Sequence, residues 1–352
     1  MDRRSYLKTS LTLGGSFLMP AGVLALAGCS GTSKSPELQG FDGNIMGTGY
    51  SVRLGGPLLE GVQEQVHAAL KDVDTHMSTW RSDSELNAFN DSVDSDWQSL
   101  TPATAQVLAQ ALDTSAASQG AFDVTIGPLV DLWGFGAGSA NADGTTSGRI
   151  PGNREIGQSL SRIGYEAIEV DLQANAARKT NSQTRLDLSG IAKGHAVDRV
   201  AAVLDTFGIE SYLVEVGGEL KARGQKPDGS HWRVAIERPA AGKRDVFRVL
   251  NLDNKAIATS GDYRNFFNDG GQRYSHSIDP RTGQPVNHEL ASVSVVADST
   301  MAADALSTAL MVLGPDEAMA FAKQYQVAAH LVLKSGSALE EVYSEAFEPL
   351  IS

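Results

Sequence analysis

Asp304, Ser307 and Thr308 stand close together in Met301-Ala-Ala-Asp-Ala-Leu-Ser-Thr-Ala-Leu310. On a helix Asp304 and Thr308 fall four apart on one face, with Ser307 beside them. A carboxylate and two hydroxyls form a hard oxygen set, suited to Mg²⁺ that keeps water or phosphate as its other ligands. The same residues also read as an ordinary helix start whose Ser and Thr bond back to the backbone. A second cluster is Leu186-Asp-Leu-Ser-Gly-Ile-Ala-Lys-Gly194. A strand running into a Gly-bearing turn and then a helix leaves the backbone at Gly190 open to a ligand, with Asp187 before the turn and Lys193 in the first helical turn. That arrangement suits an anionic cofactor, though it also describes a plain strand–helix junction. In the third, Tyr274-Ser-His-Ser-Ile-Asp-Pro-Arg-Thr-Gly283, His276 precedes a turn. A histidine titrating near neutrality can take a proton from a hydroxyl nucleophile, or it can be a structural partner of the turn. Two smaller features remain. Trp80 in Ser78-Thr-Trp can stack on a heteroaromatic ring or pack in the core, and Gly217-Gly-Glu219 permits close approach of a flat ring or forms a bulge.

Several chemistries are excluded. None of the seven histidines pairs with another at the spacing of a helical zinc site, and there is no Walker loop or nucleophile elbow. Gly134-Phe-Gly-Ala-Gly138 lacks the strand-then-helix frame and spacing of a dinucleotide loop. The single cysteine, Cys29, rules out an internal disulfide and a thiolate metal site. A formal net charge of −13 argues against nucleic acid as a partner, but not against a phosphorylated cofactor, because a bound cation reverses the local sign.

These groups must be positioned by a folded chain. Its 352 residues, 41% of them hydrophobic, suffice for a sizeable core. Strands are expected at Thr48–Leu54, Ala167–Leu172, Thr184–Leu188, Tyr212–Val216, His231–Glu237, Val246–Leu252 and Ser292–Val296, with Val327–Lys334 as the closing strand. Helices are expected from Leu58 to Thr75, with Leu59, Val62, Val66, Leu70 and Val73 on one face, and from Thr101-Pro102 to Ser118, with Thr101 as N-cap. Further helices are expected over Ile191–Phe207, Met301–Leu313 and Pro315–Gln324. Residues 134–152 read as a loop. Strand pairs with helices set apart predict an α+β fold.

Residues 1–29 read as a signal peptide: Arg3, Arg4 and Lys8 precede a short apolar stretch broken by Gly14, Gly15 and Pro20. Leu26-Ala-Gly-Cys29 resembles a lipobox, with Cys29 as the lipidated residue. Arg3-Arg4 also fits a twin-arginine signal, and equally any charged n-region. Residues 30–39 are a tether, and residues 40–345 the folded domain. The expected location is therefore outside the cytoplasm, lipid-anchored, on the periplasmic face of the inner membrane.

In order, Met46-Gly-Thr48, Ser78-Thr-Trp80, Gly120-Ala-Phe-Asp123, Asp187–Asp198, Gly217-Gly-Glu219, Ser260-Gly-Asp-Tyr263, Ser275–Gly283 and Asp304–Gly314 resemble the ApbE family of FAD:protein FMN transferases. The series spans about residues 40 to 340; each motif alone is weak. The resemblance implies an α+β fold with a core related to the T-fold and an active site in a cleft between subdomains. It implies FAD contacts from Met46, Trp80, Ala121, Phe122, Asp123, Asp187, Lys193, Glu219 and Ile278. Mg²⁺ would be held by the Gly190 carbonyl, Asp304, Ser307 and Thr308, and His276 would accept the proton. An acceptor Thr or Ser hydroxyl would attack the FMN-side phosphorus of FAD, releasing AMP. The acceptor would bear Asp-x-x-(Ser/Thr)-Gly-Ala-(Ser/Thr), a respiratory redox subunit being the family's usual client. This chain lacks that pattern, so self-flavinylation is not expected. Trp80 stands where the family often has tyrosine, Ser189 for a common glycine, His195 for a common tyrosine, and Ser307 where some relatives carry a second aspartate. The same site acting on water would make a FAD pyrophosphatase, and a flavin-storing lipoprotein would need neither metal nor base.

Overall fold

The computed structural model describes residues 38–136, 148–240, 245–263, 265–336 and 338–351. Cys29, the lipobox and most of the tether lie outside the described residues, as does most of the 134–152 loop.

The frame is an eight-stranded sheet, ordered Gln39–Ile45, Thr48–Leu54, Tyr212–Val216, Glu219–Arg223, Ala256–Gly261, Leu290–Ala297, Ala328–Ser335, Ala338–Tyr343. Every neighbouring pair is antiparallel. Its central strands are buried on both faces, as the unbroken buried run Leu290-Ala-Ser-Val-Ser-Val-Val shows, its two serines included. On one face Val293 and Val295 meet Leu310, Met311 and Phe321 of a long helix. On the other, Ile257 and Val296 meet Trp232, Val234, Ile236, Leu250 and Leu252 of the hairpin Trp232–Glu237/Val246–Leu252.

The helices are α1 (Val62–Met77), α2 (Glu85–Asp91), α3 (Pro102–Ala117), α4 (Gly127–Leu132), α5 (Asn153–Leu160), α6 (Ala192–Thr206) and α7 (Thr300–Tyr325). In α1 Val62, Val66, Leu70, Val73 and Met77 form the buried stripe. The helix begins at Val62, not Leu58, because Gly61 before it has φ +82°; Leu59, expected on the apolar face, is 41% exposed. Thr101 caps α3 with Pro102 in its first turn, as expected. The two helices read from 301–313 and 315–324 are the halves of α7, kinked at Gly314 (φ +77°). Pro315 has no N–H for the Met311 carbonyl, and His288 Nε2 donates to that carbonyl instead, at 3.0 Å.

Two further expectations are corrected. Thr184–Leu188 is not a strand: among the described residues its ladder pairing is a single bridge from Arg185 to Ile126, beside one further backbone bond from Asp187 N to the Val124 carbonyl at 2.7 Å. Val327–Lys334 does not close the sheet, because Ala338–Tyr343 pairs beyond it as the edge.

α6 crosses α7 closely at Gly194. A Cβ there would lie 2.3 Å from the Thr300 carbonyl oxygen and 2.8 Å from Asp304 Cβ. Asp198, one turn along α6, accepts from Thr300 N (3.1 Å), Thr300 Oγ1 (3.1 Å) and Met301 N (2.9 Å), satisfying the open N–H groups of α7. Gly194→Ala is expected to force the helices apart and cost about 2 kcal/mol, within the range for overpacked cores. Thermal unfolding followed by circular dichroism checks this, and an unchanged midpoint would refute the close-approach account.

Candidate active site

At the α6–α7 crossing a buried polar cluster forms. Asp304, 2% exposed, accepts from Gly194 N through Oδ2 at 2.9 Å, while Oδ1 lies 3.7 Å from Lys193 Nζ. Lys193 Nζ also donates to Glu219 Oε1 at 2.8 Å, and Glu219 Oε2 is buried without a hydrogen-bond partner among the described residues. Gly217 (φ +65°) makes room here, since a Cβ on it would lie 3.1 Å from both Lys193 Cδ and Thr48 Cγ2. That brings the Met46-Gly-Thr48 turn, with Met46 at φ +54°, to the same place.

One ammonium faces two buried carboxylates. Burial pushes Glu219 up to about 7 and also raises Asp304, Lys193 opposing both shifts. Burial disfavours the Lys193 charge, but Asp304 and Glu219 outweigh it and hold the ammonium well above the usual lysine range. The cluster thus carries more negative charge than it balances, and a cation would supply the difference.

Oxygen ligands for one are present. Ser260 Oγ lies 2.9 Å from Ser307 Oγ and 3.3 Å from Thr308 Oγ1. A Cβ on Gly190 would sit 3.3 Å from Thr308 Oγ1, so the glycine keeps its backbone against that hydroxyl. Ser307 is fully buried and donates to the Asp304 carbonyl at 3.0 Å, the helix back-bond weighed from the sequence. Among the described residues no three His, Cys, Asp or Glu side chains gather as a metal cluster. A cation would therefore be held by one carboxylate with hydroxyl and carbonyl oxygens, a set that fits Mg²⁺.

His276 follows the hairpin Phe266–Asp269/Gln272–Ser275. Its Nδ1 lies 2.9 Å from the Asn265 carbonyl, which can only accept, so Nδ1 carries the proton and Nε2 keeps its lone pair. Burial lowers its pKa, which keeps the ring neutral.

A cavity of about 310 Å³ opens nearby, lined among others by Trp80, Asn87, Asn90, Arg185 and Asp187. Trp80 is 61% exposed, so it stands free for stacking and is no core residue. Asp187 shares its loop with Gly190 and accepts from Ser189 N at 2.8 Å. The remaining expected FAD contacts do not line this cavity. Ala121 and Phe122 are buried, Phe122 lying against Gly190. Asp123 spends its carboxylate on Thr125 N, Thr125 Oγ1 and Tyr165 N. The Ile278 side chain packs with Leu129, Trp133 and Ile156. Ser260, Asn265 and Gly194 were not singled out as site residues. Of these, Ser260 and Gly194 stand within the Ser260–Tyr263 and Asp187–Asp198 motifs, and no pattern marked Asn265.

An antiparallel sheet backed by helices, with a hydroxyl-rich carboxylate–ammonium cluster beside a ring-sized cavity, defines an α+β enzyme built for a ring-bearing polyanion. The chain belongs to the ApbE family, whose model matches residues 46–331. It is 39% identical over 336 residues to the FAD:protein FMN transferase of Vibrio cholerae serotype O1, covering 94% of this chain and 97% of that relative. It superimposes on the flavin transferase ApbE from Vibrio cholerae with a TM-score of 0.80 at 38% identity, over 89% of this chain and 99% of that one. The apo form of the Pseudomonas stutzeri flavinyl transferase ApbE gives a TM-score of 0.80 at 39% identity, over 90% and 97%.

Lys193→Met leaves two buried carboxylates without their counter-charge, which should cost about 3 kcal/mol at pH 8. Protonation of Glu219 or Asp304 relieves the repulsion, so the loss should shrink as pH falls to about 5. Urea unfolding at both pH values checks it; an equal loss at both would show that the charge is not the cause.

Proposed function

We propose that the chain is a Mg²⁺-dependent FAD:protein FMN transferase, anchored by a lipid on Cys29 at the periplasmic face of the inner membrane. The observation that carries the reading is the α6–α7 cluster, an excess of buried negative charge with hydroxyl and carbonyl oxygens, set beside a neutral histidine that offers a lone pair. The names of its relatives support the same reaction. Gly190 O, Asp304 and Thr308, with Ser307, would hold Mg²⁺, which supplies charge stabilisation at the diphosphate. Trp80 stacks on a ring of FAD, Asp187 receives its hydrogen-bond donors, and Lys193 draws the diphosphate to the cluster. His276 Nε2 takes the proton of an acceptor Ser or Thr hydroxyl. That oxygen bonds to the FMN-side phosphorus, the bond to the bridging oxygen breaks, and its electron pair leaves with AMP. The acceptor is a separate protein bearing Asp-x-x-(Ser/Thr)-Gly-Ala-(Ser/Thr), a respiratory redox subunit by family custom.

AMP release from FAD by the chain lacking residues 1–29 tests this. AMP that needs Mg²⁺, is abolished by EDTA and rises with an acceptor domain that gains covalent FMN is the expected result. AMP and free FMN at a rate indifferent to acceptor would mean a pyrophosphatase; bound FAD without AMP would mean storage. Asp304→Asn is expected to lose activity about 100-fold, the scale for removing a main electrostatic contact to the reacting group. Cys29→Ala should move the full-length protein from the membrane to the soluble fraction.

A further inference from the structure

α2 has only seven residues, yet its polar groups hold several separate pieces of chain. Asn87 Nδ2 donates to the Thr79 carbonyl (3.0 Å) and the Arg81 carbonyl (2.8 Å). Ser84, its N-cap, donates to the Ser78 carbonyl at 2.7 Å. One turn after Asn87, Asn90 Oδ1 accepts from Leu186 N at 2.6 Å and Asn90 Nδ2 donates to Leu186 O at 2.9 Å. Those are the two bonds a paired antiparallel residue would make, supplied by a side chain. Lys179, fully buried, donates to the carbonyls of Asn90 (2.9 Å) and Thr184 (3.3 Å), and Arg185 pairs with Asp91 at 2.9 Å.

The two segments fixed in this way, 78–84 and 184–190, belong to no helix or sheet. They carry Trp80 and Asp187, and both line the 310 Å³ cavity together with Asn87 and Asn90. Irregular chain holds a binding group in place only as well as its supporting bonds do. The opposite face of α2 supplies rigidity, since Leu86 and Phe89 are buried in the main core; Glu85 serves the start of α3 instead, accepting from Thr101 N (2.6 Å) and Thr101 Oγ1 (3.1 Å).

We propose that Asn87 and Asn90 are positioning residues: α2 is a bracket that refers Trp80 and Asp187 to one rigid element and so sets the width of the slot for a flat ring of the dinucleotide. The inference rests on FAD being the substrate. Neither asparagine touches the Asp304 cluster, so the bracket governs binding of the ring and leaves the chemical step alone.

Asn90→Asp keeps the shape and the acceptor for Leu186 N but replaces the donor to Leu186 O by a carboxylate oxygen. Its KM for FAD, and its Kd from flavin fluorescence, should rise about tenfold, on the scale of one buried bond lost, with kcat within about twofold of wild type. Relative to wild type at the same pH, affinity should recover as pH is lowered toward 5, because the protonated carboxyl can donate again. Glu85→Ala cuts a tie of α2 that lies away from the cavity; it should lower the melting temperature and leave KM unchanged. Titration of N90D and wild type with FMN and with ADP separately shows which ring occupies the slot, the defect following that half alone. An N90D variant with wild-type Kd, a defect indifferent to pH, or an E85A variant with the same rise in KM would overturn the bracket. A wild-type chain that does not bind FAD would instead remove the substrate assignment beneath it.

Discussion

The rest of the structure is arranged around one carboxylate taken out of water. Burying an ion costs on the order of several kcal/mol even after relaxation, so Asp304 must be surrounded by groups that repay that cost. It receives a backbone N–H from Gly194 and faces the ammonium of Lys193, both from the neighbouring helix. The N–H can reach only because residue 194 has no side chain to hold the helices apart. The helix crossing and the chemical site are therefore the same contact. A variant cannot loosen one without exposing or stranding the other.

That contact is secured from outside. Asp198 ties the start of α7 back to α6 and also receives Lys221 from the sheet at 2.8 Å. Ser260, at the end of a central strand, fixes the hydroxyls of Ser307 and Thr308 from below. In the middle of the same helix, Gly314 and Pro315 bend α7, and His288 satisfies the carbonyl left open by the proline. Each restraint comes from a different element, so the position of Asp304 is over-determined.

Much of this was legible before the structure. Tyr212–Val216 and Val246–Leu252 alternate in a way that only a strand satisfies, and both appear with the expected bounds. Asp304 and Thr308 were legible as a pair because a helix puts fixed spacings on one face, and Lys193 because it follows the Gly-bearing turn at the start of its own helix. Thr184–Leu188 misled for a physical reason. Leu186 and Leu188 are buried as in a strand, but alternation reports burial and does not report a partner, and here the partner is the side chain of Asn90. The asparagines themselves gave no signal, since a polar residue in a short helix reads as solvent-facing. Ser260 and Asn265 were equally silent: one acts through a hydroxyl and the other through a backbone carbonyl, and neither follows a period. What the sequence hid was long-range pairing by single polar groups.

In the proposed reaction the choice between water and a protein hydroxyl turns on how His276 is held. His276 is held from behind: its Nδ1 proton is committed to Asn265, Phe135 stands edge-on at 6.3 Å, and Phe267 stacks on Tyr274 at 5.0 Å in the hairpin that leads to it. A base fixed in this way accepts a proton from whichever hydroxyl reaches Nε2, because a lone pair does not distinguish water from serine or threonine. The carboxylate cluster would, in that reaction, act on the diphosphate and would be equally indifferent to the nucleophile. In the proposed reaction discrimination would therefore come from occupancy, an acceptor chain seated over His276 displacing water from the approach to Nε2.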